Sequence, residues 1–149
     1  MDVAKEIGEL VIYSLDKKLI NPRIYTAKNI ISAQSIKDGL TKLIADNFHT
    51  KNSVFAVSND SIMLNSVNQD VLQINFKKIS NDHYLAEIKN VMEPYILVLN
   101  NTFDKLWQAK IDNYRIGQHF VVNGFANGWL VEKTGDYKVD IRLKVWPWD

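Results

Sequence analysis

The chain has no cysteine among its 149 residues. That absence excludes disulfides, thiol nucleophiles and cysteine-based zinc sites together, and leaves the compartment open. Net charge is nearly absent too, since 18 Lys and Arg against 17 Asp and Glu leave +1. A dedicated nucleic-acid binder needs a basic face to release counterions from phosphates. The basic doublets Lys17-Lys18 and Lys77-Lys78 are isolated, so no nucleic-acid partner is expected. No apolar run approaches the roughly 20 residues that span a bilayer. The start, MDVAKEIGEL, lacks a signal-peptide pattern, and the chain as given reads as soluble. Gly-rich phosphate loops and a Gly-x-Ser-x-Gly elbow are missing. His49, His83 and His119 are far apart in sequence, with no partner at metal-ligand spacing. The stretch Asn81-Asp82-His83 reads as a solvated turn. Asp60, Asp104 and Asp112 are the candidates for calcium, and they follow no calcium-loop pattern. No carboxylate pair stands out as an acid–base couple. The expectation is no cofactor, no metal and no catalysis by this chain.

What is present is ordinary globular material. Apolar residues make up 46% of the chain, enough for one domain with a real core. Val3, Ile7, Leu10, Val11, Leu15 and Leu19 recur mostly at three or four residues, which predicts an N-terminal amphipathic helix within residues 1–20. Pro22 ends that pattern, and RIYTAKNIISA reads as extended. Ser35 and Asp38 approximate a capping box for a helix near 35–46, with Ile36, Leu40, Leu43 and Ile44 as its apolar positions.

After residue 50 the period changes to two. SVFAV, VLQINFK, HYLAEIK, YILVL, LWQAKI, HFVV and WLVEK read as strands, divided by turn residues such as Asn81-Asp82. YILVL is apolar throughout, as for a strand covered on both faces. The last strand alternates most strictly: Tyr137, Val139, Ile141, Leu143 and Val145 against Lys138, Asp140, Arg142 and Lys144. Seven or eight short strands with turns between them predict a mainly β chain, an antiparallel β-sandwich over residues 21–149 with the helix inserted.

The candidate site lies in HFVVNGFANGWLV. Trp and Tyr faces stack on the apolar faces of sugars, while Asn, Asp and His bond hydroxyls. Trp107, Trp129, Trp146, Trp148, Tyr114, Phe120 and Phe125 crowd the last third. Trp107 and Trp129 also read as core. The two Asn-Gly pairs read as turns, a structural double turn whose outer edge offers a ligand surface. His119, Asn123, Phe125, Asn127 and Trp129 are the candidate ligand-binding residues. Asn59-Asp60-Ser61 and Asn100-Asn101-Thr102 match the N-glycosylation pattern and are read as turn chemistry.

Three pieces, INFKKISNDHYLAEIKN, PYILVLNNTFDKLWQAKI and HFVVNGFANGWLV, resemble a domain near the C-terminus of YfhO-like and related multi-pass membrane proteins, relatives of the lipid-linked-sugar glycosyltransferases. NPRIYTAKNIISAQSIKDGL is similar to an upstream segment of that family. The family usually carries Gly directly before the Trp, where this chain has Leu106. The resemblance implies a jelly-roll or galactose-binding-like sandwich outside the cytoplasmic membrane. It also implies proximity to glycan chemistry, with a glycan or lipid-linked sugar as the candidate ligand and a membrane protein as the candidate partner, though the fold alone does not establish sugar binding. It carries over no catalytic residue. Three functions compete. A non-catalytic binding module predicts exposed aromatics beside Asn or Asp, and an interaction domain predicts an apolar patch without convergent polar groups. An enzyme needs titratable groups in one cleft.

Overall fold

The computed structural model describes the backbone of residues 2–7 and 10–14 and, with side chains, residues 20–45, 53–57, 72 and 74–144. Leu15, Leu19, His49, Asp60, Val145, Trp146, Trp148 and the Asn59–Ser61 acceptor pattern lie outside the described residues. In chain order the elements are β1 (Asp2–Ile7), β2 (Leu10–Ser14), β3 (Ile24–Ala27), β4 (Asn29–Ala33), α1 (Ile36–Ala45), β5 (Ser53–Val57), β6 (Ile74–Ser80), β7 (His83–Val91), β8 (Tyr95–Leu99), β9 (Trp107–Ile111), β10 (Tyr114–Arg115), β11 (His119–Val122), β12 (Ala126–Val131) and β13 (Gly135–Leu143). The chain is mainly β, as the alternating patterns require.

Two antiparallel sheets carry the architecture. One runs β10-β9-β13-β7-β6, the other β11-β12-β8-β3. The strictest alternation in the sequence sits on the central strand of the first sheet. Tyr137, Val139 and Ile141 of β13 are buried, and Leu143 is half-buried behind them. They meet Tyr84, Ala86 and Ile88 of β7 and Trp107, Ala109 and Ile111 of β9 in the core. The second sheet supplies Ile24, Tyr95, Leu97, Leu99, Trp129 and Val131 to the same core. This is the dry interior of a β-sandwich. A tyrosine pair closes one corner. The single hydroxyl hydrogen of Tyr137 goes to the Lys133 carbonyl 2.8 Å away. Its oxygen then accepts from the Tyr95 hydroxyl 3.0 Å away.

The even-numbered residues of β8, Ile96 and Val98, face away from that core. They pack with Tyr25, Ala27, Val54, Val122 and Ala126 in a second cluster. β8 is therefore dry on both faces, which explains its unbroken apolar run. The second cluster exists because a third layer covers the four-stranded sheet. β4 and β5 pair in parallel, joined through α1 as a β-α-β unit.

Ser35 caps α1: its hydroxyl accepts from the Asp38 N–H at 3.1 Å, and the Asp38 carboxylate accepts from the Gln34 N–H at 2.9 Å. The second bond falls one residue earlier than in a regular capping box. α1 meets the β4–β5 pair along Gly39 and Leu43, while Ile36, Leu40 and Ile44 stay 52%, 49% and 78% exposed. Two strands are too narrow to cover the full apolar stripe of the helix. A Cβ on Gly39 would lie 2.3 Å from the fully buried Phe55 ring. Alanine gains about 1 kcal/mol of helix propensity, but overpacking costs about 1–3 kcal/mol. The ring is fully buried and would have to shift within a packed layer, so the clash is expected to dominate. Gly39→Ala is expected to lower the urea midpoint. A raised midpoint would show that α1 does not seat on Phe55.

The N-terminal helix is corrected. Residues 2–7 and 10–14 form an antiparallel hairpin with Ile7 opposite Leu10. Val11-Ile12-Tyr13 is β-branched and aromatic, which suits a pleated strand better than a helix. An apolar spacing of three or four over so short a stretch fits either period.

Candidate functional site

Only one of the two Asn-Gly pairs is a turn. Asn123 and Gly124 have φ of 55° and 78°, and the Phe125 N–H bonds the Val122 carbonyl at 3.2 Å. Two positive φ values in succession are the signature of a type I′ reversal. Asn127-Gly128 instead lies inside β12, where Gly128 pairs with Phe120 on one side and Val98 on the other. The expected double turn is thus a single turn followed by a strand. Gly128 is needed for space: a Cβ there would stand 2.6 Å from a Val122 methyl.

Asn127 is completely buried. Its amide nitrogen donates to the carbonyls of Asn101 at 2.9 Å and Thr102 at 3.2 Å. Its Oδ1 accepts from the Asp104 N–H at 3.3 Å and faces His119 Nε2 at 3.0 Å. The two carbonyls fix the orientation of the amide, so His119 Nε2 must carry the hydrogen and the neutral ring is the Nε2–H tautomer. His119 stacks on Trp129 with ring centres 4.6 Å apart and planes 7° from parallel, and the Phe103 ring lies tilted against it at 4.9 Å. Trp129 is 1% exposed. The structure therefore brings Asn127, His119 and Trp129 together, as a clamp with a half-buried His119 over a buried Asn127 and Trp129 that ties the 101–104 loop to β12. Neither Asn127 nor the Trp129 face is presented to a ligand.

Asn123 is used elsewhere. Its Oδ1 accepts from the Phe55 N–H at 3.1 Å, its own N–H bonds the Phe55 carbonyl at 2.8 Å, and its amide nitrogen donates to the Tyr25 hydroxyl at 3.1 Å. It pins the turn to β5. Burial pushes the Tyr25 hydroxyl above the ordinary tyrosine pKa, and the Asn123 bond partly opposes that. Phe125, at 53% exposure, is the most open of the candidates, while His119 and Asn123 are half-buried.

Burial also pushes the His119 pKa below its ordinary value, with the Asn127 bond opposing it. The unfolded chain then binds the proton more readily than the folded one. The clamp's contribution is complete above the unfolded value of about 6.5 and is lost as pH falls through the folded value. Urea melts between about pH 5 and 6.5 should show stability rising with pH, and His119→Phe should flatten that slope. An equal slope in both proteins would show that His119 titrates no differently in the two states.

Leu106 is accommodated without a glycine. The Trp107 N–H bonds the Asp104 carbonyl at 3.0 Å, the Asp104 carboxylate accepts from the Leu106 N–H at 2.9 Å, and neither Lys105 nor Leu106 has positive φ. No group of three or more His, Asp or Glu that could hold a metal occurs among the described residues. His83, expected in a solvated turn, is the first residue of β7 and half-buried. Its Nε2 is 3.3 Å from Asp140 Oδ1 without the alignment of a hydrogen bond.

The outer face of the five-stranded sheet holds a groove that sequence reasoning did not single out. It encloses about 620 Å³. β13 contributes Lys138, Asp140 and Arg142, with Lys144 just beyond; β9 contributes Gln108 and Lys110; β7 contributes Leu85. Register assembles them, since Asp140 is opposite Lys110 on one side and Leu85 on the other. Asp112 and Asn113, with φ of 49° and 68°, turn the chain between β9 and β10 and close one end. Both carboxylates are occupied: Asp140 accepts two bonds of 2.8 Å from Arg142, and Asp112 pairs with Lys133. The only available signal was the wet half of the β13 alternation, which does not reveal its neighbours.

No family model, no curated protein and no solved structure matches this chain.

Proposed function

We propose that this chain is a non-catalytic carbohydrate-binding β-sandwich module, and that the groove on the outer face of the five-stranded sheet is its ligand site. The observation that carries this reading is the lining itself. Gln108 and Asn113 offer amides and Lys110, Lys138 and Lys144 offer ammonium groups along one open face, the donors and acceptors that hydroxyl-rich ligands need. The occupied carboxylates leave no free acid–base couple in the groove. The sequence resemblance of 76–145 to domains of membrane glycosyltransferase-like proteins supports a setting outside the cytoplasmic membrane, as an ectodomain or accessory of a membrane partner. No helix among the described residues is long and apolar enough to cross a membrane. A jelly-roll topology belongs to the same proposal.

A glycan array with wild-type protein and a Gln108→Ala/Asn113→Ala variant tests this reading. Losing two hydrogen bonds of about 1 kcal/mol each should weaken binding by more than tenfold. Phe125→Ala, at a turn tip with few core contacts, should bind and melt like wild type. Binding lost with Phe125→Ala and kept in the groove variant would return the site to the hairpin.

A second reading, an interaction domain without a small ligand, draws on the exposed line Ile36, Leu40 and Ile44. Ile36 packs beside the Gly124 turn that carries Phe125. Contiguous apolar exposure of this kind marks protein contact. Leu40→Glu should abolish a partner's binding and leave glycan binding unchanged.

A further inference from the structure

Resting on the groove as the glycan site, we infer that its ligand is an acidic polysaccharide, one whose sugar rings carry carboxylates. The first observation is what the groove lacks. Its lining contains no aromatic side chain, so a neutral sugar finds no ring to stack on and a single-stranded nucleic acid finds no platform for its bases. Leu85 is its one large apolar residue, which leaves an acidic peptide without the buried anchors that hold protein partners. Attraction must come from charge and hydrogen bonds.

The second observation is where the charge stands. Lys110, Lys138 and Lys144 are exposed, and none has a carboxylate within ion-pair distance among the described residues. They surround the Asp140–Arg142 pair, which is already satisfied. Lys138 and Lys144 lie six residues apart, about 20 Å along an extended chain, with Lys110 opposite Asp140 between them. Lys77 and Arg115 lie on the same outer face, since Lys77 pairs with Leu85 and Arg115 with Lys110. The same face also carries Glu87, opposite Lys138, and Asp140, but Lys77, Lys110, Arg115, Lys138, Arg142 and Lys144 outweigh them, an asymmetry that the net charge of +1 for the whole chain hides. The span suits a linear polymer of several sugar units, with amides from Gln108 and Asn113 for its hydroxyls.

The test compares a linear uronic-acid oligomer with its carboxyl-reduced, neutral counterpart, by calorimetry and by amide chemical shifts. Wild type should bind the acidic oligomer more tightly than the neutral one and lose affinity as salt rises from about 50 to 200 mM. The combined Lys110→Gln, Lys138→Gln and Lys144→Gln variant should bind at least about tenfold more weakly. The matching Lys→Arg variant should retain binding, and both should melt like wild type. Equal binding of the two oligomers in the groove overturns the acidic ligand and keeps the glycan site. Failure of both oligomers to shift groove amides, or tighter binding there of oligothymidylate or a polyglutamate peptide, overturns the glycan site with it.

Discussion

Asn127→Ala is expected to destabilise the protein by on the order of 4 kcal/mol. The side chain is completely buried and joins four groups: the carbonyls of Asn101 and Thr102, the Asp104 N–H and His119 Nε2. Removing it strands several polar groups away from water, each costing about 1–3 kcal/mol less whatever the loop regains by opening. Asn127→Asp separates hydrogen bonding from shape. It keeps the volume and the acceptor but offers two carbonyls a carboxylate in place of an amide donor, so a comparable loss is expected. Urea denaturation of both variants checks this. A variant that folds with wild-type stability would return Asn127 to the list of ligand contacts.

Ile141→Ala should cost about 2–5 kcal/mol. Ile141 has no exposure and lies on the central strand, opposite Tyr84 on one side and Ala109 on the other. Neither neighbour can readily fill the space, because both are held in ladder register. Leu143→Ala, one step along at the half-buried end of the same face, should cost less. Equal midpoint shifts for the two would show that burial is not graded along β13 in solution as it is here.

These two residues differ in how legible they were. Ile141 follows from alternation alone, because a strict period of two needs one dry face and one wet face. β8 was legible for the converse reason: an unbroken apolar run has no wet face. Asn127 was misread because Asn-Gly favours turns locally, while here the tertiary partners of its side chain and the Val122 methyl beside Gly128 decide the conformation. The N-terminal hairpin was misread because so short an apolar spacing fits two periods. The parallel pairing of β4 with β5 joins segments 24 residues apart and leaves no local mark. The groove was half legible. Alternation shows that Lys138, Asp140, Arg142 and Lys144 share a face, but only register shows that Gln108, Lys110 and Leu85 share it with them.

The turn that carries Phe125 is thus architecture. Its Asn locks to β5, its neighbour Gly124 supplies the positive φ, and the Phe125 carbonyl accepts from the Phe103 N–H. The proposed ligand site lies instead on the outer face of the five-stranded sheet, where Lys110, Lys138 and Lys144 are exposed.

Amide chemical-shift mapping of the wild-type protein against an acidic oligosaccharide tests that assignment most directly. Shifts are expected to cluster at Gln108, Lys110, Asn113, Lys138 and Arg142, with Asn123, Gly124 and Phe125 silent. Shifts clustered at Gly124, Phe125 and the start of β12, with the outer face of β13 unchanged, would contradict it.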